Sequence, residues 1–574
     1  MVSSVTALVL ATALGQAGAR GSGAGTAAEA AWLKVVPAEA EIVVRVRGLK
    51  AGRDDLAKMI EAMSPNLSAQ ALPSLNHGLD QFRQRYGDAA ATQPFLVLVR
   101  LPKGQVGPPQ GPPPVAFVVE AKDYNAVVKH ASGLDDVKPE KQSGGYDKFD
   151  SKEGPMYAAK SGSFVAFGSD EALVKAFAKP TATLDKSIDR TMAVRLFTGD
   201  VGLFVNLAAI RARFGDDIEK AQQTMNEQIA KQAEHNPSAG AVRPVINGLF
   251  EVLKNNKAAA LSLDFDVDGL TIAGDTLAVT PKKAAAPVVG DPIGKLPGGA
   301  AVYVLVRGAN ASVFENFQRI GQAMTTGDPD SAAAKKAREL QRAADLREQT
   351  TAISAAPKSR PVILNVALYG DPRKAVDAMT ADLQATASEK GVVKKVDIKA
   401  GEQRYRGFTL NHATLTPNIE RIKQLNPAAP VAGLADKPTQ TWFGTDGKVV
   451  VSIAAPSWEQ ARARLDAYLD AKQTLGQQAA YKTLRQALPR SPGLLVLAEA
   501  QGVVHLVESL IGMVQGRDVP AATLPEEPAF FGLAVAPTET GTTFQFRLPS
   551  VVGPVLEQGI LPLLQGIQAG DVKQ

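Results

Sequence analysis

Cysteine is absent from all 574 residues. That excludes disulfides, Cys-ligated zinc, iron–sulfur clusters and thiol nucleophiles together. Histidine is scarce: His77, His130, His235, His412 and His505 are scattered, and none has a ligand four residues on. No His-Glu-x-x-His, Gly-x-Ser-x-Gly elbow, phosphate loop or dinucleotide fingerprint occurs, so no cofactor, metal ligand set or catalytic residue is expected from motifs. His130 and His505 sit in helical apolar patterns and read as core or boundary residues. Charge of one sign is also missing. The 63 basic and 58 acidic residues leave +5, with no Lys/Arg block, which argues against a nucleic-acid partner. Long apolar runs are lacking beyond the N-terminus. "VVGPVLEQGILPLLQGIQ" from Val551 is broken by Pro, Glu and Gly, so no transmembrane helix is expected in the mature chain.

What is present begins with "VTALVLATALGQAGA", Val5 to Ala19, an apolar run of signal-peptide length ending in the small-x-small triplet Ala17-Gly18-Ala19. Ala28-Glu29-Ala30 offers a second cleavage point. No Lys or Arg precedes the run, which departs from the usual pattern. The reading is export, to the periplasm or beyond, with residues 1–31 as signal peptide or disordered N-terminus.

The chain repeats itself. "VPAEAEIVVRVRGLKA" from Val36 aligns without a gap on "LPGGAAVYVLVRGANA" from Leu296. "PVAFVVEAKDYNAVVKHA" from Pro114 resembles "PVILNVALYGDPRKAVDAM" from Pro361, where Asp371 is a good N-cap and Pro372 a good first helical residue. "GSFVAFGSDEALVKAF" from Gly162 parallels "GKVVVSIAAPSWEQARARL" from Gly447. There Ser457 and Gln460 form a capping box ahead of Trp458, Ala461, Leu465 and Tyr468. "GLFVNLAAI" from Gly202 matches "GLLVLAEA" from Gly493, and "ALSLDFDVDGLTIAGDTL" from Ala260 lies over "GLAVAPTETGTTFQFRL" from Gly532. Five matches in one order indicate a duplication.

The last pair contains a feature that could be mistaken for chemistry. Asp264, Asp266, Asp268 and Gly269 fit the first half of a calcium loop, with Asp275 at its end. Strand alternation instead puts Leu261, Leu263, Phe265 and Val267 on one face and Ser262, Asp264, Asp266 and Asp268 on the other. Asp268-Gly269 is a strong hairpin dipeptide. The matched residues Ala534, Ala536, Thr538 and Thr540 carry no acid. A solvated hairpin, not a metal site, is expected.

The inserts that differ between copies read as helices. In "GDDIEKAQQTMNEQIAKQ" from Gly215, Ile218, Ala221, Met225 and Ile229 form one stripe. In "SAAAKKARELQRAADLREQ" from Ser331, Ala333, Ala337, Leu340 and Ala344 do, and Lys335, Lys336, Arg338, Arg342 and Arg347 read as its wet side. The Pro-rich stretch Leu101 to Pro114 reads as a loop between strands. "LP…VxVxG", "PVxFVVExKDY", "GSFVAFGSDEALVKAF" and the closing "DFDxDGLTI" hairpin together resemble an uncharacterised bacterial family of exported, internally duplicated proteins, a domain of unknown function. The resemblance implies an exported location and an α+β fold, and brings no active site.

The sequence therefore predicts an α+β protein of two tandem antiparallel-sheet units backed by helices. The first covers 32–281, a linker 282–294, the second 295–550, and an apolar segment and tail 551–574. The expected role is non-enzymatic: binding a macromolecule or apolar ligand of the cell envelope between the two repeats. The alternative is an exported hydrolase with a dispersed active site.

Overall fold

A computed structural model describes residues 27–102, 114–134, 136–152, 154–235, 243–280, 290–307, 332–355, 360–387, 391–425, 438–515, 522–560 and 562. The run Val5 to Ala19, most of the Pro-rich loop, most of the linker and residues 561 and 563–574 lie outside the described residues. The fold is mixed helix and antiparallel sheet, as the repeating strand and helix patterns predict. The chain divides into two compact units. Unit 1 is residues 1–221, 251–283 and 538–553; unit 2 is residues 222–250, 284–537 and 554–574. Residues 538–550, which the sequence places with the second repeat, thus group with unit 1, together with 551–553.

Unit 1 contains β1 (Ile42–Val46), β2 (Phe95–Val99), β3 (Val115–Glu120), β4 (Glu140–Lys141), β5 (Asp147–Ser151), β6 (Gly154–Ser161), β7 (Phe164–Gly168), β8 (Val201–Val205), β9 (Asn256–Asp266) and β10 (Gly269–Ala278). They pair antiparallel in the order β4-β5-β6-β7-β3-β2-β1-β8-β9-β10. Runs such as "FLVLV" and "FVAFG" lack polar alternation because both faces of the central strands are covered. Helix Arg190–Phe197 packs Met192 and Leu196 with Ala258 and Ala260 of β9. Helix Leu49–Met63 packs Leu56, Met59, Ile60 and Met63 on the opposite face, against Leu263, Phe265, Leu270 and Ile272.

Unit 2 contains β11 (Val302–Arg307), β12 (Leu346–Ser354), β13 (Val362–Tyr369), β14 (Val393–Tyr405), β15 (Phe408–Pro417), β16 (Thr439–Thr445), β17 (Val450–Ala455), β18 (Leu494–Glu499) and β19 (Phe530–Pro537). Their antiparallel order is β14-β15-β16-β17-β13-β12-β11-β18-β19. Tyr303, Trp442, Ile453, Leu465, Tyr481, Leu497 and Phe530 fill its core. The expected caps form: Asp371 accepts from the Lys374 amide at 3.2 Å, and Ser457 accepts from the Gln460 amide. A last strand, β20 (Gly541–Pro549), belongs to unit 1 and pairs with β10, Gly269 opposite Pro549.

The β9–β10 hairpin forms, but its turn is Val267-Asp268, one residue before the expected Asp268-Gly269, with Gly269 opening β10, and its acidic face is not solvated. Ser262 is sealed from solvent, and Asp264 and Asp275 are buried. Helix Arg190–Phe197 and the turn after it cover this face. Arg195 Nε donates to Asp275 Oδ2 at 2.7 Å. Gly199, at φ +79°, lies so close that a Cβ there would meet the Leu263 carbonyl oxygen at 2.2 Å and Asp264 Cβ at 3.4 Å. Alternation separates the two faces of a strand but says nothing of what covers the second. At the turn Asp268 and Val267 reach solvent freely, and Val267, placed on the apolar face by alternation, is exposed because it sits in the turn.

The inserted segments are helical, with shifted stripes. In helix Leu207–His235 Ile229 is buried and Met225 exposed. In helix Ala332–Ala343 Ala334 and Ala337 are buried, while Ala333 faces solvent beside Lys335 and Lys336.

Candidate functional site

Most buried acids of unit 1 are fully answered. Glu41 accepts from Arg213 Nη1 at 2.7 Å and from the Leu101 amide at 2.5 Å. Asp170 takes two bonds from Arg100, at 2.9 and 3.0 Å, while capping helix Glu171–Ala178. Asp200 accepts from the Phe265 amide at 2.8 Å, and its other oxygen lies 2.8 Å from Arg47 Nη2. Burial still lifts Asp200 to about 6, and the neighbouring Asp264 adds to the lift. Burial, with Arg47 beside it, lowers Arg45 to about 10. Glu41, Asp170 and Asp200 each have an arginine as counter-charge, and Arg45 donates to the Gly199 carbonyl at 2.6 Å.

Unit 2 holds the exception. Glu499 ends β18, its amide bonded to the Ala301 carbonyl at 3.0 Å. The next residue, Ala500, opens helix Ala500–Gln515, its own amide bonded to the Ala529 carbonyl at 2.7 Å. The strand must turn straight into the helix, and Gly502 permits it. A Cβ at Gly502 would stand 2.6 Å from Ala301 Cα, so only glycine lets the helix come this close. Glu499 is thereby drawn inward. Its Oε2 is buried and accepts no hydrogen bond. Burial raises the carboxyl to about 7, against a small opposing pull from His505.

His505 and Glu508 complete the cluster. Glu508 is 3% exposed, one oxygen 3.0 Å from His505 Nδ1 and the other accepting from the Ala522 amide at 2.8 Å. Both of its oxygens are occupied. With Nδ1 donating to Glu508, the imidazole presents Nε2 as an acceptor. Tyr303 stands near Glu499, but its hydroxyl donates to the Pro297 carbonyl and accepts from the Ala300 amide. Arg464, beside Tyr303, donates to the Gly298 carbonyl at 3.3 Å. Among the described residues no side chain donates to the free oxygen of Glu499. A carboxyl held near neutrality can exchange a proton at ordinary pH or accept a donor from outside the chain.

The remaining histidines do other things. His412 stacks on Trp442, ring centroids 4.8 Å apart and planes 2° from parallel, with Nδ1 held 2.5 Å from Glu402. Beyond it Trp442, Trp458 and Tyr405 form an aromatic row in the unit 2 core, and Tyr405 donates to Asp466. His77 is exposed beside Gln81. His130, expected in the core or at its boundary, is exposed in the last turn of helix Tyr124–Ser132, where Val128 and Ala131 take the buried face. His235 ends helix Leu207–His235. Among the described residues no group of three or more His, Asp or Glu side chains is placed to hold a metal ion. No described helix is long and apolar enough to cross a membrane.

Motif search passed over Glu499 because "LLVLAEA" is an ordinary strand-to-helix sequence. The one available signal was an acid in an otherwise apolar junction. No family model, curated protein or solved structure matches the chain.

Proposed function

We propose that the protein is an exported binding protein built from two tandem copies of one α+β unit, with its ligand site inside the second. Export rests on the apolar N-terminal run, and the family resemblance adds the same location. The tandem reading is supported by the strand orders: replacing β1 through β9 by β11 through β19 turns one order into the other. Small features follow. Pro37 bridges Thr183 and Pro297 bridges Thr474. The Arg47 amide bonds to the Asp200 carbonyl, and the Arg307 amide to the Gly493 carbonyl.

The binding reading is carried by Glu499 Oε2, a buried carboxylate oxygen without a partner. Leaving such an oxygen unanswered costs free energy, and a ligand that donates to it recovers that cost. The test is native mass spectrometry of protein purified from its own host. A bound species should accompany the wild type and be lost from Glu499→Gln. Wild-type protein that flies without any bound species would refute the reading.

A second reading, an exported hydrolase, is favoured by the His505–Glu508 pair, because a buried carboxylate on Nδ1 orients Nε2 as a general base. Turnover of an ester or amide panel that is lost in His505→Gln but retained in Glu499→Gln would select it.

A further inference from the structure

The reading above gives the ligand a place but no chemistry, and the other half of the chain supplies one. β1 and β8 of unit 1 correspond in register to β11 and β18 of unit 2: Ile42 faces Val205 as Val302 faces Ala498. This register shifts the sequence match of Gly202 with Gly493 by two residues, so that Glu41 corresponds to Ala301 and Asn206 to Glu499, joined in both units by the same backbone bond, from the Asn206 amide to the Glu41 carbonyl and from the Glu499 amide to the Ala301 carbonyl. Each unit thus places one acid at this junction, on opposite sides of one hydrogen bond. In unit 1 the acid is answered by Arg213, the seventh residue of helix Leu207–His235. The seventh residue of helix Ala500–Gln515 is Leu506. The acid stays and the arginine is gone.

The helix that lost its cation is also unusually apolar. Val503, Leu506 and Val507 are half-buried and Leu510 is exposed, at the 3–4 spacing of one stripe that starts beside Glu499 in the chain. His505, the nearest group able to carry positive charge, is committed through Nδ1 to Glu508.

We infer that the missing cation comes from the ligand: unit 2 takes a small cationic amphiphile, its ammonium head on Glu499 and its apolar body along the stripe. This rests on the binding reading above and narrows it to one ligand class. An ammonium supplies both donors and charge to an oxygen that has neither. An alcohol supplies a donor without charge, and a carboxylate repels.

Octylammonium, octanol and octanoate, below their aggregation limits, separate these cases by calorimetry on the full-length protein at pH 8. Octylammonium should bind about tenfold more tightly than octanol, because both donate to the carboxylate but only the ammonium also brings its counter-charge, and octanoate should not bind. Glu499→Gln should erase the preference for the cation. Leu506→Arg, which restores the arginine of unit 1, should block octylammonium by supplying the cation from within, and it tests the idea even if Glu499→Gln fails to fold. Equal binding of octanol and octylammonium, no binding of any probe, or unchanged octylammonium affinity in Leu506→Arg would overturn the inference. If a host-derived species still leaves with Glu499→Gln while the cation shows no advantage, the site stands and only its assigned chemistry fails.

Discussion

Glu499→Gln also makes a measurable claim about stability in the absence of ligand. The carboxyl sits at about 7 in the fold against an ordinary 4.5. A raised acid binds its proton more tightly folded than unfolded, so folding is favoured by protonation and penalised by ionisation. Below pH 4.5 the group is protonated in both states and costs nothing. Between 4.5 and 7 the penalty grows as pH rises, and above 7 it is fully present. A difference of roughly 2.5 units corresponds to about 3 kcal/mol, and partial exposure and relaxation bring the expected figure to about 2 kcal/mol.

Glutamine has the same shape and never ionises. Burying its amide adds an offset of its own, but that offset does not change with pH. The readout is therefore the difference in unfolding free energy between variant and wild type, followed from pH 4 to pH 9 by urea denaturation. The variant should gain about 2 kcal/mol on the wild type across that range, nearly all of it between pH 4.5 and 7. In melting temperature this is a relative gain of about 4–8 °C for a unit of this size. A pH-independent difference would refute the claim that Glu499 is buried and unanswered. A wild type that gains on the variant as pH rises would show a hidden cationic partner.

The other expectations concern pairs and the N-terminus. Asp275→Ala should cost about 3 kcal/mol because it strands Arg195, which is largely buried, whereas Asp268→Asn in the exposed turn should change stability by no more than about 0.5 kcal/mol; urea melts of the two side by side decide it. Glu41→Ala should cost about 3 kcal/mol by removing the partner of both Arg213 and the Leu101 amide, and Glu41→Gln, which keeps the amide bond, should cost less; a smaller loss for Ala than for Gln would refute the pairing. Calcium should leave the melting temperature unmoved, since Asp264 and Asp275 lie beneath a helix and its following turn; a calcium-dependent rise lost in Asp264→Asn would restore the calcium loop. N-terminal sequencing of protein from the host should begin between Arg20 and Trp32, and an intact Met1 would refute cleavage.

The parts of the fold that could be read in the sequence are those set by neighbours in the chain. "PVAFVVE" reads as a strand, Asp371-Pro372 as a helix start and Ser457 as a cap, and the Asp268-Gly269 turn is right to within one residue, because each depends on a few adjacent residues. The mistakes fell where contacts span long separations. Alternation makes Asp264 look wet, because it shows two faces without showing that the turn at Gly199 covers one. His130 reads as a core or boundary residue yet is exposed, because an apolar helix pattern leaves its edge residues undetermined. β20 follows β19 within a few residues yet groups with unit 1, a choice that depends on β10, more than 260 residues earlier.

Glu499 combines both limits. Its strand and its helix were legible, and its lack of a partner was not, since that lack consists of a contact not made. It becomes visible only against a place where the contact is made. Glu41 and Arg213 lie 172 residues apart, so no local pattern links them, and the corresponding Leu506 looks like any other apolar helix residue. Once the two strand orders are laid together, the same leucine stands where a charge is required. Substituting that leucine by arginine is therefore the sharpest test of the pairing. It should raise the stability of the protein at pH 8, where Glu499 is ionised, and add little at pH 4, where Glu499 is protonated. Equal effects at both pH values would mean that residue 506 does not reach Glu499 and that the register relating the two units is wrong.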